Sequence, residues 1–380
     1  MSTDPQQLPH PDVDPGGLRE FSVVFTDRSL NHMSKRFQQV MRDISGIACD
    51  VYGAEAMALV PGGGTFAMES VARQFARDAN ALIVRNGWFS FRWTQIHEMA
   101  KFDGEAAVEK ARAEGNAPQP AYAPPPIEDV VAEIRSAKPS VVFAPHVETS
   151  AGLILPDDYI RALADAAHEV DALMVLDCIA SGAIWVDMRQ TGVDVLISAP
   201  QKGWSGTPCA GMVMLSARGL ERLEATTSDS FALDLKKWRA IMKAYEDGGH
   251  AYHATLPTDG LVVLRDAMVE TRDMGWDAAR DAQWKLGNAV RAALKERGVR
   301  SVAADGFAAP GVVVSYTDDP AIQNGSKFAA EGLQIAAGVP LQVGEGADFH
   351  TFRLGLFGLD KLRDVDATVA TLTQAFDKVL

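Results

Sequence analysis

The sequence predicts an α/β protein: a large domain with a mostly parallel sheet and helices on both faces, then a smaller C-terminal α+β domain. Three observations predict it. Short apolar runs alternate with helical stretches between residues 56 and 215, as in successive βαβ units. Those runs are nearly continuous in apolar residues, as befits strands buried on both faces. Beyond about residue 258 the alternation gives way to a long helical stretch and two isolated strands.

Residues 56–60 (AMALV) read as the first strand, which stops at Gly62-Gly63-Gly64. A helix follows over 68–78, and a second strand, 81–85 (ALIVR), ends at the turn signal Asn86-Gly87. The stretch 106–126 is rich in Ala, Pro and Glu and closes on Pro124-Pro125-Pro126, so it reads as a surface excursion. Strands at 140–144 (SVVFA), 173–176 (LMVL), 193–198 (VDVLIS) and 211–215 (GMVML) complete the sheet, with a helix over 157–170. Residues 261–294 read as helical, and 311–316 (GVVVSY) and 351–355 (TFRLG) as strands. The large domain is expected over 19–257 and the small one over 258–380. Residues 1–18, polar and rich in Pro and Asp, are expected to form a flexible arm.

Composition removes several function classes. The chain has 380 residues and a formal net charge of −14, which disfavours nucleic acid, since phosphate binding needs clustered Lys and Arg. Cys49, Cys178 and Cys209 match no zinc spacing, and their odd number argues against a disulfide framework, so no metal is expected and a reducing, cytoplasmic setting is. No apolar run reaches the roughly 18 residues that span a bilayer, and the N-terminus lacks an apolar signal core.

Three strand ends carry residues suited to chemistry. The turn at 62–64 precedes a helix beginning near Thr65, and backbone N–H groups at a helix start attract a phosphate. Neither the P-loop nor the dinucleotide fingerprint is present, and a plain strand-to-helix turn reads equally well. Asp177 ends the strand 173–176, where ligands of open α/β sheets gather. It suits either a protonated pyridine nitrogen or a simple cap on the next segment. Lys202 follows the strand 193–198; a desolvated lysine loses its proton readily and forms imines, whereas a lone lysine is ordinarily a solvated charge. The order of the three favours the chemical reading.

With those residues in place, the sequence resembles the class V aminotransferases of pyridoxal-5′-phosphate (PLP) fold type I, in the alanine–glyoxylate and serine–pyruvate aminotransferase branch. The resemblance covers roughly residues 25 to 375. It rests on Asp177-Cys-Ile-Ala-Ser181, Ser198-Ala-Pro-Gln201-Lys202 and the glycine turn together. It implies a transaminase that moves an amino group from a small amino acid to a small 2-oxo acid such as glyoxylate or pyruvate. Lys202 and Asp177 would be catalytic, and Gly63, Gly64, Thr65 and Gln201 would hold the cofactor phosphate. Phe89 would stack on the pyridine, with Trp88 one residue away. Thr149, in His146-Val-Glu-Thr-Ser-Ala-Gly152, would bond its phenolic oxygen. Tyr252 and Thr255, in Tyr-His-Ala-Thr-Leu-Pro257, would reach the phosphate of a neighbouring subunit, which implies a homodimer with shared sites. Arg353 would clamp the substrate carboxylate through its planar fork.

One departure bears on the donor. Relatives carry a P-G-P-[ST] segment near the N-terminus; here the corresponding stretch offers Arg28, Ser29 and His32 instead, and His146 and Trp204 add bulk near the site. A 2-aminoethylphosphonate-type transaminase and a PLP-dependent lyase are the alternatives within the fold. A cysteine desulfurase would need a cysteine on a late loop, and none follows Cys209.

Overall fold

A computed structural model describes Leu18 and residues 20–380; apart from Leu18, the expected N-terminal arm lies outside the described residues. Seven strands build the central sheet: β1 (Ala56–Pro61), β2 (Ala81–Arg85), β3 (Ala106–Lys110), β4 (Val141–Pro145), β5 (Leu173–Asp177), β6 (Val195–Ser198) and β7 (Ala210–Leu215). Their order is β1-β7-β6-β5-β4-β2-β3. Strands β3, β2, β4, β5 and β6 pair in parallel. β7 runs antiparallel to both its neighbours, so β1 points the same way as β6.

This topology delivers strand ends to one edge. Asp177 pairs with Ile197 and with Pro145, Ser198 with Met212, and Pro61 with Ala210. The carboxyl ends of β1, β4, β5 and β6 therefore sit side by side. Every residue of β2, β4, β5, β6 and β7 is buried, as the continuous apolar runs required.

Helices cover the sheet by their apolar stripes. In α1 (Lys35–Tyr52), Phe37, Val40, Met41 and Ile44 recur at i, i+3, i+4 and i+7 and are buried. Ser34 caps that helix, its Oγ accepting from the Phe37 N–H at 3.0 Å. Two further helices, α2 (Gly64–Phe75) and α3 (Trp88–Ala100), start where β1 and β2 end.

Two expectations need correction. The stretch 106–126 is only partly an excursion: Ala106–Lys110 is the edge strand β3, pairing with β2 from Ala81↔Ala106 onward. Its residues are half-buried or exposed, so no continuous apolar run marks it. Arg112–Glu114 and Ala121–Ala123 then pair as a small hairpin. The helical stretch 261–294 is broken at Gly275, whose φ of 93° suits glycine, into α4 (Thr258–Met274) and α5 (Trp276–Glu296).

Helix α4 sends Leu261, Leu264 and Met268 into the main core. Helix α5 sends Leu286, Val290 and Leu294 into a second core with Val313 and Phe352. The chain thus passes from one core to the other near Gly275. The small domain carries an antiparallel sheet of β8 (Val312–Tyr316), β9 (Ala336–Ala337) and β10 (Thr351–Gly355), with β10 central. Among the described residues no helix is long and apolar enough to cross a membrane.

Candidate active site

At the carboxyl edge of the sheet lies a cleft of about 220 Å³. It is lined by Gly64, Thr65, Phe89, Thr149, Asp177, Gln201 and Lys202. Residues far apart in sequence thus meet because each follows a strand end on the same edge.

The glycine turn is built for close approach. Gly62 has φ 122°, and a Cβ there would meet the Phe66 ring at 2.6 Å. A Cβ on Gly64 would come within 2.5 Å of Ile179 Cδ1, so a larger residue there would have to push the Ile179 side chain, which lines the cleft, aside. By contrast, a Cβ on Gly63 would meet nothing within 4 Å: open space faces the start of α2. Backbone donors there are free to serve an anion.

Asp177 is buried at the end of β5 and accepts one hydrogen bond, from the Ile179 N–H at 2.9 Å. Burial pushes its carboxyl up to about 7, and nearby Glu148 adds to the rise. A group held at that threshold in a dry cleft calls for a cationic partner.

Phe89 is positioned by a carboxylate that sequence reasoning left unassigned. Glu148 is fully buried and accepts from the backbone N–H groups of Phe89 (3.2 Å), Ser90 (2.9 Å) and Ser150 (3.0 Å). The hydroxyls of Ser90 and Ser150 add bonds of 2.7 Å each. It therefore caps α3 and ties the Phe89 turn to the loop carrying Thr149. Gly87 is required at this junction, because a Cβ would lie 2.1 Å from Ser150 Oγ. Glu148→Gln places an amide donor against donors and is expected to lower unfolding stability by about 3 kcal/mol; chemical denaturation of the two proteins measures it. No loss would show that these donors are served as well by a neutral amide oxygen as by the carboxylate.

Lys202 sits in the turn after β6. Gly203 packs so tightly on Gly182 that a Cβ would lie 2.0 Å from the Gly182 carbonyl oxygen, which fixes the turn. Lys202 Nζ lies 5.4 Å from the centre of the Phe357 ring. Burial lowers its pKa, and the charges of Arg353 and Arg92 lower it further. More of it is thus a free amine at neutral pH.

Arg353, on β10, does not line the cleft itself but lies against Phe89, which does. Its Nε donates to the Ala337 carbonyl at 2.8 Å, and its guanidinium carbon lies 5.6 Å from the Phe89 ring centre. Burial lowers its pKa while Glu148 opposes the shift. Arg92, also unassigned from sequence, lines the same cleft.

Other expected residues do not join. Tyr252 is 53% exposed and its hydroxyl pairs with Thr255 Oγ1 at 3.1 Å; neither lines this cleft. Nor do Arg28, Ser29 and His32; His32 packs instead against Phe25, His250 and Tyr252. His146 and Trp204 are buried and do not line the cleft. His146 Nδ1 lies 2.7 Å from Ser181 Oγ, and burial drives its pKa down to about 3, so it stays neutral. Trp204 Nε1 donates to Ser198 Oγ at 3.2 Å. Phe89 rather than Trp88 faces the cleft.

These residues fit PLP: open space before Gly63 for the phosphate, the Phe89 face for the ring, buried Asp177 for a protonated ring nitrogen, and an amine for the aldehyde.

Comparison with known proteins points the same way. The family model for aminotransferase class-V matches residues 22–318. A 2-aminoethylphosphonate–pyruvate transaminase from Paraburkholderia phymatum is 31% identical over 351 residues, spanning 91% of this chain and 88% of that one. Another, from Burkholderia pseudomallei, is 31% identical over 363 residues, covering 93% and 90%. Among solved structures, alanine–glyoxylate aminotransferase from Nostoc sp. superposes with TM-score 0.78 at 21% identity, over 92% of this chain and 89% of that one. An aspartate aminotransferase from Thermus thermophilus gives TM-score 0.73 at 24% identity, over 92% and 93%. A sheet order that gathers Asp177, Lys202 and the glycine turn at one edge, in a chain matched by the family model over most of its length, means that this chain belongs to the class V aminotransferases, PLP-dependent transaminases of fold type I.

Proposed function

We propose that the enzyme takes an amino group from a small amino donor and delivers it to a small 2-oxo acid, pyruvate or glyoxylate, with Lys202 and Asp177 as its catalytic residues. The single observation that carries the reading is one cleft lined by a desolvated lysine and a buried acid, with an arginine next to it whose charge acts on that lysine and that can hold the acid group of either substrate. When bound, PLP supplies an electron sink for the charge left at the substrate α-carbon. The chain's own residues do the rest. Lys202 Nζ anchors the cofactor, and once released it takes the proton from the donor Cα. In the second half of the cycle it returns a proton to the Cα of the new amino acid. Asp177 holds a positive charge on the ring nitrogen, and Phe89 keeps the ring flat and dry. Arg353 fixes the substrate acid so that the Cα–H bond faces Lys202.

The relatives support a more specific donor. The two quoted above act on 2-aminoethylphosphonate and pyruvate by name. A guanidinium fork pairs with a phosphonate as well as with a carboxylate, so Arg353 suits that donor too.

Tyr252 and Thr255, exposed and outside the cleft of their own chain, suit a role in a second copy's site, as a homodimer would provide. Three free cysteines are in keeping with a reducing, cytoplasmic setting.

Single-turnover mixing with alanine, serine and 2-aminoethylphosphonate tests the reading. The true donor converts the cofactor's absorbance to that of its amine form, and pyruvate or glyoxylate restores it. Ammonia and an oxo acid released without any acceptor would instead mark a lyase. In the same assay Arg353→Met is expected to raise the apparent Kd of the donor on the order of 10- to 100-fold, the value of a charge-assisted bidentate pair. An unchanged Kd would remove Arg353 from the substrate site.

A further inference from the structure

We propose that Arg92 is a ligand of the cofactor phosphate, completing with Gly63, Gly64 and Thr65 a site that the glycine turn alone leaves short of positive charge.

The argument begins with the start of α2. Phe66 and Ala67 give the first bonds of the helix, their N–H groups donating to the Gly63 carbonyl at 3.0 and 3.2 Å. The N–H groups of Gly64 and Thr65, at the start of the helix, have no partner within it, and a Cβ on Gly63 beside them would meet open space. A helix start offers only about half a unit of positive charge, whereas a phosphate monoester near neutral pH carries up to two negative charges. Two neutral donors and a half-charge do not balance that load in a partly dry cleft.

Arg92 stands where the missing charge is needed. It lies three residues after Phe89 on α3, hence on the same helix face. Its guanidinium carbon is 4.8 Å from the Phe89 ring centre, and its Nη1 donates to Thr65 Oγ1 at 2.9 Å. The planar group thus spans from the aromatic shelf to the lip of the phosphate turn. Among the described residues no carboxylate forms an ion pair with it. Accepting from Arg92 also sets the Thr65 hydroxyl: with a lone pair engaged, its proton is free to donate towards the turn. Arg92 is close enough to the centre of the cleft to act on both Lys202 and Asp177 through its charge. A rigid fork that can make two bonds to one phosphate suits this position better than a lysine would.

The inference rests on assigning Gly63–Thr65 to the phosphate, and its test separates the two. The full-length chain, freed of cofactor, is titrated with PLP and with pyridoxal, which lacks the phosphate, and affinity is read from the absorbance of the lysine-bound form. Arg92→Gln is expected to weaken PLP on the order of 10- to 100-fold while leaving pyridoxal within about twofold. Arg92→Lys should fall between, since it keeps the charge and loses the fork. If Arg92→Gln weakens PLP and pyridoxal equally, Arg92 supports only the Phe89 shelf and the proposal is overturned. If it leaves PLP binding intact but raises the donor's Kd, Arg92 reads the substrate and the proposal is equally overturned. Thr65→Val decides the underlying assignment. Selective loss of PLP there, without it in Arg92→Gln, keeps the turn as the phosphate site and rejects Arg92. Selective loss in neither variant rejects both.

Discussion

Lys202→Ala is expected to purify without the absorbance of covalently held cofactor and to lose transaminase activity on the order of ten-thousandfold. On the proposed reading, two functions vanish with one amine. The side chain anchors the cofactor, and it is the base that moves the Cα proton; general-base catalysis alone is worth roughly 10²–10⁴. The structure explains why this lysine serves. Burial penalises its ammonium, and Arg353 and Arg92 oppose a third positive charge, so the proton leaves at a lower pH than from an exposed lysine. The free amine dominates above that lowered pKa. The acid limb of the rate against pH should therefore fall below the ordinary lysine range, and in Arg92→Gln it should move back up. A small amine such as methylamine added to Lys202→Ala should recover part of the rate, because the lost group is an unhindered base facing a cleft. A variant that stays yellow, with the wild-type spectrum, would show that another residue holds the cofactor.

The sequence carried the sheet, and the candidate residues at its strand ends, for one physical reason. Strands buried on both faces leave continuous apolar runs, and the polar residue that ends such a run stands out, as Asp177 does after Leu173–Leu176. The antiparallel sense of β7 left no such trace, because Gly211–Leu215 is as apolar as a parallel strand would be. The edge strand β3 was hidden for the opposite reason, its residues being half-exposed and mixed in polarity. Glu148 and Arg92 were hidden because their roles exist only between segments. Glu148 serves donors 58 and 59 positions away, and Arg92 meets a hydroxyl 27 positions away. A charged residue without a partner nearby in sequence reads as a solvated surface until the fold brings a partner to it. The break at Gly275 could have been found: a glycine in a 34-residue helical stretch (261–294) is a standing candidate for a boundary.

Asp177→Ala should lower the transamination rate on the order of a thousandfold or more while covalent attachment through Lys202 survives, so the variant should bind cofactor and turn over poorly. The separation from Lys202→Ala is the point: on the proposed roles, one substitution removes the anchor and the other the charge that stabilises the ring cation. Stability against pH gives an independent check. In the cofactor-free protein the Asp177 carboxyl titrates near 7, against 3.8 for an unperturbed aspartate. Between those values the folded chain holds a proton that the unfolded chain has released. Stability must therefore fall as pH rises through that window and level off above about 7, a loss on the order of a few kcal/mol. Below pH 3.8 both states are protonated and the contribution is absent. Bound cofactor should reverse the trend, because a ring cation held against the carboxylate offsets its desolvation. Asp177→Asn, which keeps the shape and cannot ionise, should flatten the slope of the cofactor-free protein across this window. The measurement is unfolding of wild type and variant at pH 5 to 8, with and without PLP. A wild-type slope that persists in Asp177→Asn would show that another group titrates there, and would remove the physical basis for reading Asp177 as the partner of the ring nitrogen.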